Sequence, residues 1–492
     1  MALKSQIALA LKWQAVGIVG RQVLALAVFT TLARLLEPSA FGLVGLVGVY
    51  LGFIGLFIDH GIPTALIQRK NLQTEHLDAA FWFTLGCSGL VCLGTYPFAR
   101  SLSALLGDPE LAALLQWSSL GLVFMALSQV PTTLSIKAMD FRRPIIGSLI
   151  GSVVGGTIGI VMAFAGCGVW ALVAQQLAAW LTGAIFLWSA SSYRPSLRFS
   201  TRHLRELFGV TSSTMATKLL WLFTTRIDQI VIGRVAGVTA LGSYVVASKI
   251  PDMAKMISIE PLAGISLPTL SKLQDDPSQM RQTIYDGMEL NAAVSFPIFV
   301  GLALICSDLV PLLFGSKWAA AAEVSSLLCI YALINALLVF VYPSVVASGG
   351  AGRYVVLNVW LGAGAWIACM IGIRFGLTYL VLGLAANTLI ISAPALLFLK
   401  NRIGLNPWRY CRPCLMPGAA SLLMVAMGWL MAAALPEVTT RALRLTCKIG
   451  IGATVYLGCI SLFAPSTLRK LVDTAGHAFG RQSLVVATPP WP

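Results

Sequence analysis

Charged residues inside long apolar stretches offer the clearest chemistry in this sequence. The stretch 209–233 contains Lys218, Arg226 and Asp228. On a helix that turns about 100° per residue, one set of its side chains falls within about 80° of one another. That set consists of Thr211, Thr214, Lys218, Trp221, Thr225 and Gln229. A polar stripe with one aromatic ring predicts a helix face that meets water or a bound solute instead of lipid.

Other apolar stretches of the chain also carry charge. Lys249 and Glu260 share one helical face of the stretch 239–260, Arg21 interrupts the first stretch, and Asp59 ends the second. A charge at the centre of a bilayer costs about 2.5–3.5 kcal/mol on insertion scales. We therefore expect these side chains to face an ionic partner or a water-filled cavity.

The intramembrane charges are mainly basic, and this balance indicates an anionic solute, because guanidinium and ammonium groups bind phosphate strongly. The candidate substrate-binding residues are Arg21, Lys218, Trp221, Arg226 and Lys249. The acidic candidates for coupling transport to H⁺ or Na⁺ are Asp59, Asp228 and Glu260. The alternative interpretation is that these charges pair between helices or extend to the membrane surface.

The chain lacks the sequence motifs that are typical of soluble enzymes. It has no GxxxxGK[ST] phosphate-binding loop, no HExxH motif and only four scattered histidines. Cys411 and Cys414 have CxxC spacing, but no second pair of ligands for a zinc site lies nearby in the sequence. The net charge of +15 is spread over short loops instead of forming a basic face. The sequence thus predicts no enzyme, no metal, no cofactor and no nucleic-acid partner.

The elements that carry these residues are predicted to be membrane-spanning helices. Hydrophobic residues make up 57% of the chain and charged residues only 11%. A spanning helix needs about 20 predominantly apolar residues, and the sequence provides about fourteen such stretches. They are 13–33, 40–58, 79–98, 112–135, 145–165, 168–188, 209–233, 239–260, 288–307, 319–347, 354–374, 377–399, 414–434 and 443–463. The predicted fold class is an all-α polytopic membrane protein.

The distribution of basic residues predicts the orientation of the chain. Lysines and arginines on alternate sides of the predicted spans number 21 on the side of the two termini and 8 on the other. Loops rich in Lys and Arg stay in the cytoplasm. Both termini are therefore predicted to be cytoplasmic.

Parts of the sequence repeat at an offset of about 200–210 residues. ARLLEPSAFG (33–42) parallels GRVAGVTALG (233–242), and the loop at 107–110 parallels the loop at 315–318. We predict two pseudo-symmetric six-helix lobes, as in many transporters with internal repeats. The predicted domains are 1–190 and 205–400 for the two lobes, 410–465 for two further spanning helices and 466–492 for a cytoplasmic tail.

Seven short motifs occur in order along about residues 10–400. They are ARLLEPSAFGLV (33–44), FIDHG (57–61), ALIQRK (65–70), DQIVIGR (228–234), ALGSY (240–244), LPTLSKLQ (267–274) and LLFGSKW (312–318). As an ordered set they resemble the Wzx-type polysaccharide flippases, in the colanic-acid-like branch of the polysaccharide transporter family within the multidrug/oligosaccharidyl-lipid/polysaccharide (MOP) exporter superfamily. His60 with Ile62 and Pro63 departs from the run after Asp-x-Gly that is usual in relatives, which weakens a role for Asp59.

The resemblance implies a function and a location. It implies a 14-span protein of the bacterial inner membrane that flips an undecaprenyl-pyrophosphate-linked oligosaccharide repeat unit from the cytoplasmic to the periplasmic leaflet by alternating access. Membrane lipids, a polysaccharide polymerase and a chain-length regulator are the implied partners. A drug or cation antiporter of the same superfamily is the alternative function, and a membrane-bound polymerase or acyltransferase is a third that the short loops disfavour.

Overall fold

A computed structural model describes residues 2–59, 61–69, 71–197, 200–208, 212–434 and 441–478. All regular secondary structure in these ranges is helical. The predicted all-α class is therefore confirmed. His60 and Thr211 from the sequence patterns lie outside the described residues.

The first half of the chain alternates long helices with short connections. Its helices are α1 (Ala2–Leu35), α2 (Pro38–Asp59), α3 (Ile62–Gln68), α4 (Thr74–Leu106), α5 (Glu110–Lys137), α6 (Arg142–Phe164), α7 (Trp170–Ala190), α8 (Thr201–Phe208), α9 (Ser212–Val235) and α10 (Gly237–Ser258).

The second half continues in the same way, with several shorter helices at the ends of long ones. Its helices are α11 (Glu260–Ser271), α12 (Pro277–Phe314), α13 (Ala319–Leu337), α14 (Val341–Ala347), α15 (Ala351–Gly372), α16 (Leu377–Ile403), α17 (Pro407–Cys411), α18 (Leu415–Ala434), α19 (Arg441–Phe463) and α20 (Pro465–Ala478).

Twelve helical segments of the described chain are long and apolar enough to cross a membrane. The two predicted spans outside this set are α9 and α10, which have 24 and 22 residues and so have sufficient length. Much of α9 has side chains that are not described, and α10 carries Lys249, Asp252 and Lys255 within its apolar stretch. The count of fourteen thus depends on the two helices that carry most of the candidate site and stays a prediction.

Two helix ends 210 residues apart share a backbone turn. Met139 and Gly349 both have positive φ, and their N–H groups donate to the carbonyls of Ile136 (2.9 Å) and Val346 (3.1 Å). Met139 is the one non-glycine residue with positive φ in the described chain. This conformation is costly for a residue with a Cβ atom, so its recurrence points to the same turn being built twice.

The helices α2 and α10 cross at equivalent positions of the repeat. A Cβ atom on Gly42 would lie 1.8 Å from the carbonyl oxygen of Val238, and a Cβ on Gly242 would lie 1.7 Å from that of Pro38. Residue pairs 38/238 and 42/242 are both 200 apart, so the contact is reciprocal. Small residues of this kind let helix backbones approach closely in membranes.

Grouping of residues by contact divides the chain into two units. The first consists of Met1–Met253, Leu313–Val324 and Val355–Asn387, and the second of Ala254–Leu312, Ser325–Tyr354 and Thr388–Pro492. The predicted domains follow a sequence repeat instead of contacts, and their boundaries stay a prediction.

Two basic residues at helix ends bond to carbonyl groups at the C-termini of other helices. Lys137, the last residue of α5, donates to the carbonyls of Leu66 (2.8 Å) and Arg69 (2.5 Å) at the end of α3. Arg143 donates to Ala190 at the end of α7, at 2.9 Å. The last carbonyls of a helix lack intrahelical donors and carry partial negative charge. These side chains therefore stabilise helix ends as well as setting orientation.

Candidate functional site

The carboxylate of Asp228 joins α9 to α10. Its Oδ2 atom accepts a hydrogen bond from the Tyr244 hydroxyl at 2.5 Å, and its Oδ1 atom accepts one from the backbone N–H of Gln229 at 2.8 Å. Tyr244 is buried in α10. A carboxylate has about four acceptor positions, so Asp228 keeps capacity for a further donor or cation.

Lys249 lies on α10 against an aromatic ring of α1. Its Nζ atom lies 5.0 Å from the centroid of the Phe29 ring, within the range of a cation–π interaction. Asp252, one turn further along α10, is close enough to act electrostatically on both Lys249 and Asp228. Asp252 was not among the candidate site residues, although its i, i+3 spacing places it on the same helical face as Lys249 in the sequence.

Two of the predicted basic residues are exposed. Arg226 lies on α9, exposed and within electrostatic range of Asp228. Arg21 is exposed on α1, where its Nε donates to the carbonyl of Gly17 at 3.0 Å. Lys218 and Trp221 are in α9, and their side chains lie outside the described part of the structure. The structure thus groups Arg226, Asp228 and Lys249 with Asp252 and Tyr244, which together we name the polar face.

The other two acidic candidates lie at helix ends. Asp59 is the last residue of α2, and its side chain is not among those described. Glu260 belongs to the second unit, whereas Asp228 belongs to the first. The predicted span 239–260 ends early, because α10 stops at Ser258 and Glu260 begins α11. An acidic first residue complements the helix dipole, which gives Glu260 a structural role.

The C-terminal end of α1 is closed by the turn that follows α12. Lys317 Nζ donates to the carbonyls of Arg34 (3.0 Å) and Leu36 (2.6 Å), and the Trp318 indole N–H donates to Ala33 at 2.9 Å. In return, Arg34 Nε donates to the carbonyl of Leu313 near the end of α12, at 2.8 Å. Arg34 at the end of α1 thus caps α12, and Lys317 and Trp318, which follow α12, cap α1. We name Arg34, Lys317 and Trp318 the terminal seal.

Aromatic rings connect the terminal seal to the polar face. Trp318 is only 1% exposed and packs edge-on against Phe41, with ring centroids 5.6 Å apart. Phe29 packs edge-on against both Phe41 (5.3 Å) and Phe314 (5.4 Å). Lys249 lies over the same Phe29 ring. Phe29 and then Phe41 therefore connect the polar face to Trp318 of the terminal seal.

A largely buried ion pair joins two helices of the second unit. Lys448 Nζ of α19 lies 2.6 Å from Asp308 Oδ2 of α12, and their side chains are 11% and 15% exposed. On the same two helices, the Tyr456 hydroxyl donates to the carbonyl of Ala293 at 2.8 Å. In the sequence, Lys448 was counted among the basic residues whose distribution predicts the orientation of the chain. The structure shows that it also holds α19 against α12.

The described residues contain no group of three or more His, Cys, Asp or Glu side chains that could hold a metal ion. Cys411 and Cys414 both carry free thiols. The acidic residues of the polar face are two, Asp228 and Asp252, and they lie among basic groups. The arrangement suits the transient binding of an anion or of a single small cation.

Comparison with known sequences gives consistent matches. The family described as "Polysaccharide biosynthesis protein" matches residues 31–323. The succinoglycan biosynthesis transport protein ExoT of Rhizobium meliloti is 26% identical over 461 residues, which cover 90% of each chain. The lipopolysaccharide biosynthesis protein WzxC of Escherichia coli is 25% identical over 341 residues, 68% of each chain. The resemblance inferred from the short motifs is confirmed.

Comparison with solved structures identifies the fold. The lipid II flippase MurJ in an inward closed conformation superimposes with a TM-score of 0.71 at 16% identity, over 93% of this chain and 100% of that one. An inward-facing multidrug resistance transporter of the MATE family, in the MOP superfamily, gives 0.62 at 16% identity, over 78% and 94%. The chain therefore has the MOP transporter fold.

Proposed function

Because the chain belongs to the polysaccharide biosynthesis protein family, we propose that it flips a lipid-linked oligosaccharide across the membrane in which its helices lie. The observation that carries the proposal is the polar face, which lies on two helices of spanning length in an otherwise apolar chain. The cargo is an undecaprenyl-pyrophosphate-linked repeat unit. It moves from the cytoplasmic to the periplasmic leaflet of the bacterial inner membrane.

The basic candidates hold the pyrophosphate of the cargo. Arg21 and Arg226 are exposed on helices of spanning length. An arginine facing hydrocarbon costs about 2.5–3.5 kcal/mol, so both side chains favour a water-filled path that an anion can enter. Lys249, with Lys218 on the preceding helix, supplies further positive charge. Trp221 offers an indole face on which a sugar ring can stack.

The terminal seal closes one end of this path. It lies at the end of α1 opposite the N-terminus, which is the periplasmic side when both termini are cytoplasmic. Each of its hydrogen bonds joins a side chain to a backbone carbonyl, and water can replace the side-chain donor when the end opens. Alternating access then requires the seal to break as the cargo leaves.

Asp228 is the favoured site for a coupling H⁺ or Na⁺. It accepts from Tyr244 at 2.5 Å and lies within electrostatic range of Arg226 and Asp252. A cargo phosphate arriving at Arg226 changes the charge balance around this carboxylate, which links cargo and ion. Asp59 and Glu260 remain the other candidates.

The experiment follows the cargo in cells. Depletion of the protein should leave lipid-linked repeat units on the cytoplasmic leaflet, where a glycosidase added to the outside of spheroplasts does not reach them. Arg226→Ala should fail to restore their exposure, whereas Arg374→Ala, a change of another exposed arginine, should restore it. If depletion leaves the distribution of lipid-linked repeat units between the leaflets unchanged, the proposal is wrong.

The alternative function is a drug or cation antiporter, and a multidrug resistance transporter shares this fold. The polar face has two acids among basic groups, however, whereas a cationic solute favours an acidic cavity. Drug sensitivity of the depleted strain separates the two functions.

A polymerase and a chain-length regulator are the proposed protein partners, to be sought by co-purification with the intact chain.

A further inference from the structure

The described parts of the segment between α7 and α9, residues 191–197 and 200–208, which we name the linker, are fixed to the first unit although they join two spanning regions. Asp78, buried at the start of α4, accepts hydrogen bonds from the Tyr193 hydroxyl (2.8 Å), the backbone N–H of Ser196 (3.3 Å) and the Ser196 hydroxyl. The Trp82 indole N–H donates to the carbonyl of Ser196 at 2.7 Å. Four hydrogen bonds therefore set the orientation of the middle of the linker.

A second anchor lies at α8, the helical end of the linker. Glu206 pairs with Arg69, and the His76 ring nitrogen lies 3.4 Å from the same carboxylate. Arg69, and then His76, hold the pKa of Glu206 below its usual range, so this carboxylate is charged and neutralised by its neighbours. Leu207 is buried in the adjacent apolar cluster. The acid of α8 is thereby used for anchoring.

Fixing the linker in this way leaves a basic and apolar surface uncovered. Leu197 is 91% exposed, and the Arg202 side chain is 86% exposed although its Nε lies 3.5 Å from Glu206. Arg205 is also exposed. An exposed ion pair of this kind contributes little, so Arg202 is available to another anion.

The position of this surface relative to the membrane follows from the chain order. Six candidate spans precede the linker, so it lies on the same side as the N-terminus. The linker begins directly after α7, and Asp78, to which it is hydrogen-bonded, lies in the second turn of α4. Both of these helices are candidate membrane spans. It is therefore held within a few residues of the lipid headgroups.

We propose that Leu197, Arg202 and Arg205 form a binding surface for the phosphate headgroups of anionic phospholipids in the leaflet on the N-terminal side. Guanidinium groups bind phosphate oxygens in pairs, and Leu197 enters the interface between the headgroups. Bulk anionic lipid is the favoured source of phosphate, because it gives the cytoplasmic leaflet a surface potential of about −30 mV.

The test uses the purified full-length protein in detergent. Native mass spectrometry counts the phosphatidylglycerol retained as this lipid is titrated, with phosphatidylethanolamine as the zwitterionic reference. A basic residue at an anionic membrane surface contributes about 1 kcal/mol, so Arg202→Ala with Arg205→Ala should weaken retention about 30-fold at low salt. Arg202→Lys with Arg205→Lys should keep most of it, because the charge remains.

The matched control removes two exposed arginines elsewhere in the first unit, Arg100 and Arg374. Equal phosphatidylglycerol retention by the Arg202/Arg205 and Arg100/Arg374 alanine pairs would overturn the proposal. Preferential binding of undecaprenyl pyrophosphate over phosphatidylglycerol at the linker would also overturn it and assign the surface to the cargo. Neither measurement involves transport, so the result stands apart from the proposed function.

Discussion

Replacement of Trp318 by phenylalanine tests whether the terminal seal is a closing element. The substitution keeps an aromatic ring next to Phe41 but removes the indole N–H that donates to the carbonyl of Ala33 at 2.9 Å. A buried acceptor left without its donor costs about 1–3 kcal/mol. If about 1–2 kcal/mol of this falls on the closed state alone, the open population rises about 5- to 30-fold.

The assay measures access to Ala33, which is 0% exposed behind the seal. In a background without the ten native cysteines, Ala33→Cys is treated with a membrane-impermeant maleimide in whole cells. Trp318→Phe should raise its labelling rate about 5- to 30-fold, by the population shift above. Trp360→Phe is the matched control, since Trp360 is 63% exposed. Equal labelling rates in the two variants would refute the seal as a closing element.

Three further changes test the packing and the ion pairs of the fold. Gly42→Leu should strongly lower the thermal stability of the purified protein, because a Cβ there would lie 1.8 Å from a carbonyl of the opposite helix, whereas Gly48→Leu on the same helix meets nothing within 4 Å. Lys448→Met should destabilise the protein by about 3–5 kcal/mol by leaving the Asp308 charge buried without a partner, and adding Asp308→Leu should restore stability in thermal unfolding. Glu206→Gln should lower the melting temperature at pH 7, because its neighbours depress the pKa of Glu206 in the folded state. The carboxylate contributes this stability above the ordinary pKa of Glu, about 4.3, and loses it as pH falls through the lower folded-state pKa, so the difference from wild type should shrink progressively below about pH 4.

Hydropathy was sufficient to predict the twelve segments of the described chain that are long and apolar enough to span a membrane, because a bilayer imposes the same length and composition on each of them. The polar residues of α9 were found for the same reason, since a charge in an apolar stretch stands out. Glu260 was placed in the wrong helix, because hydropathy does not register a break at Ile259. Pro261 was the signal that a new helix begins there.

The terminal seal could not be predicted from the sequence. Lys317 and Trp318 donate to backbone carbonyls some 280 residues earlier in the chain, and a carbonyl carries no side-chain signature. The pair of Lys448 with Asp308 spans 140 residues and was hidden for a related reason, because a basic residue near a helix end is equally typical of an orientation signal. Long-range pairing of common residue types leaves no local pattern.

The aromatic ring of Phe29 gives the polar face a means of acting on the terminal seal. The ring is held on one side by the Lys249 ammonium and on its edges by Phe41 and Phe314. An anion that draws Lys249 away removes a cation–π contact of about 0.5–2 kcal/mol and frees the ring to leave its aromatic neighbours, each worth about 0.5–1.5 kcal/mol. These contacts together amount to about 1.5–5 kcal/mol, so the loss of only part of them is sufficient for the usual coupling free energy between sites of about 1–3 kcal/mol.

This coupling predicts a specific interaction between ligand and mutation. Undecaprenyl pyrophosphate should raise the labelling of Ala33→Cys by about 5- to 30-fold for a coupling of 1–2 kcal/mol. Phe29→Leu fills most of the space but lacks the ring face, so the ligand should bind with little effect on labelling. Phe53→Leu on α2 replaces an aromatic ring outside the contacts described above and is the control. If the ligand accelerates labelling equally in the Phe29 and Phe53 variants, Lys249 and the seal are linked by another route or not at all.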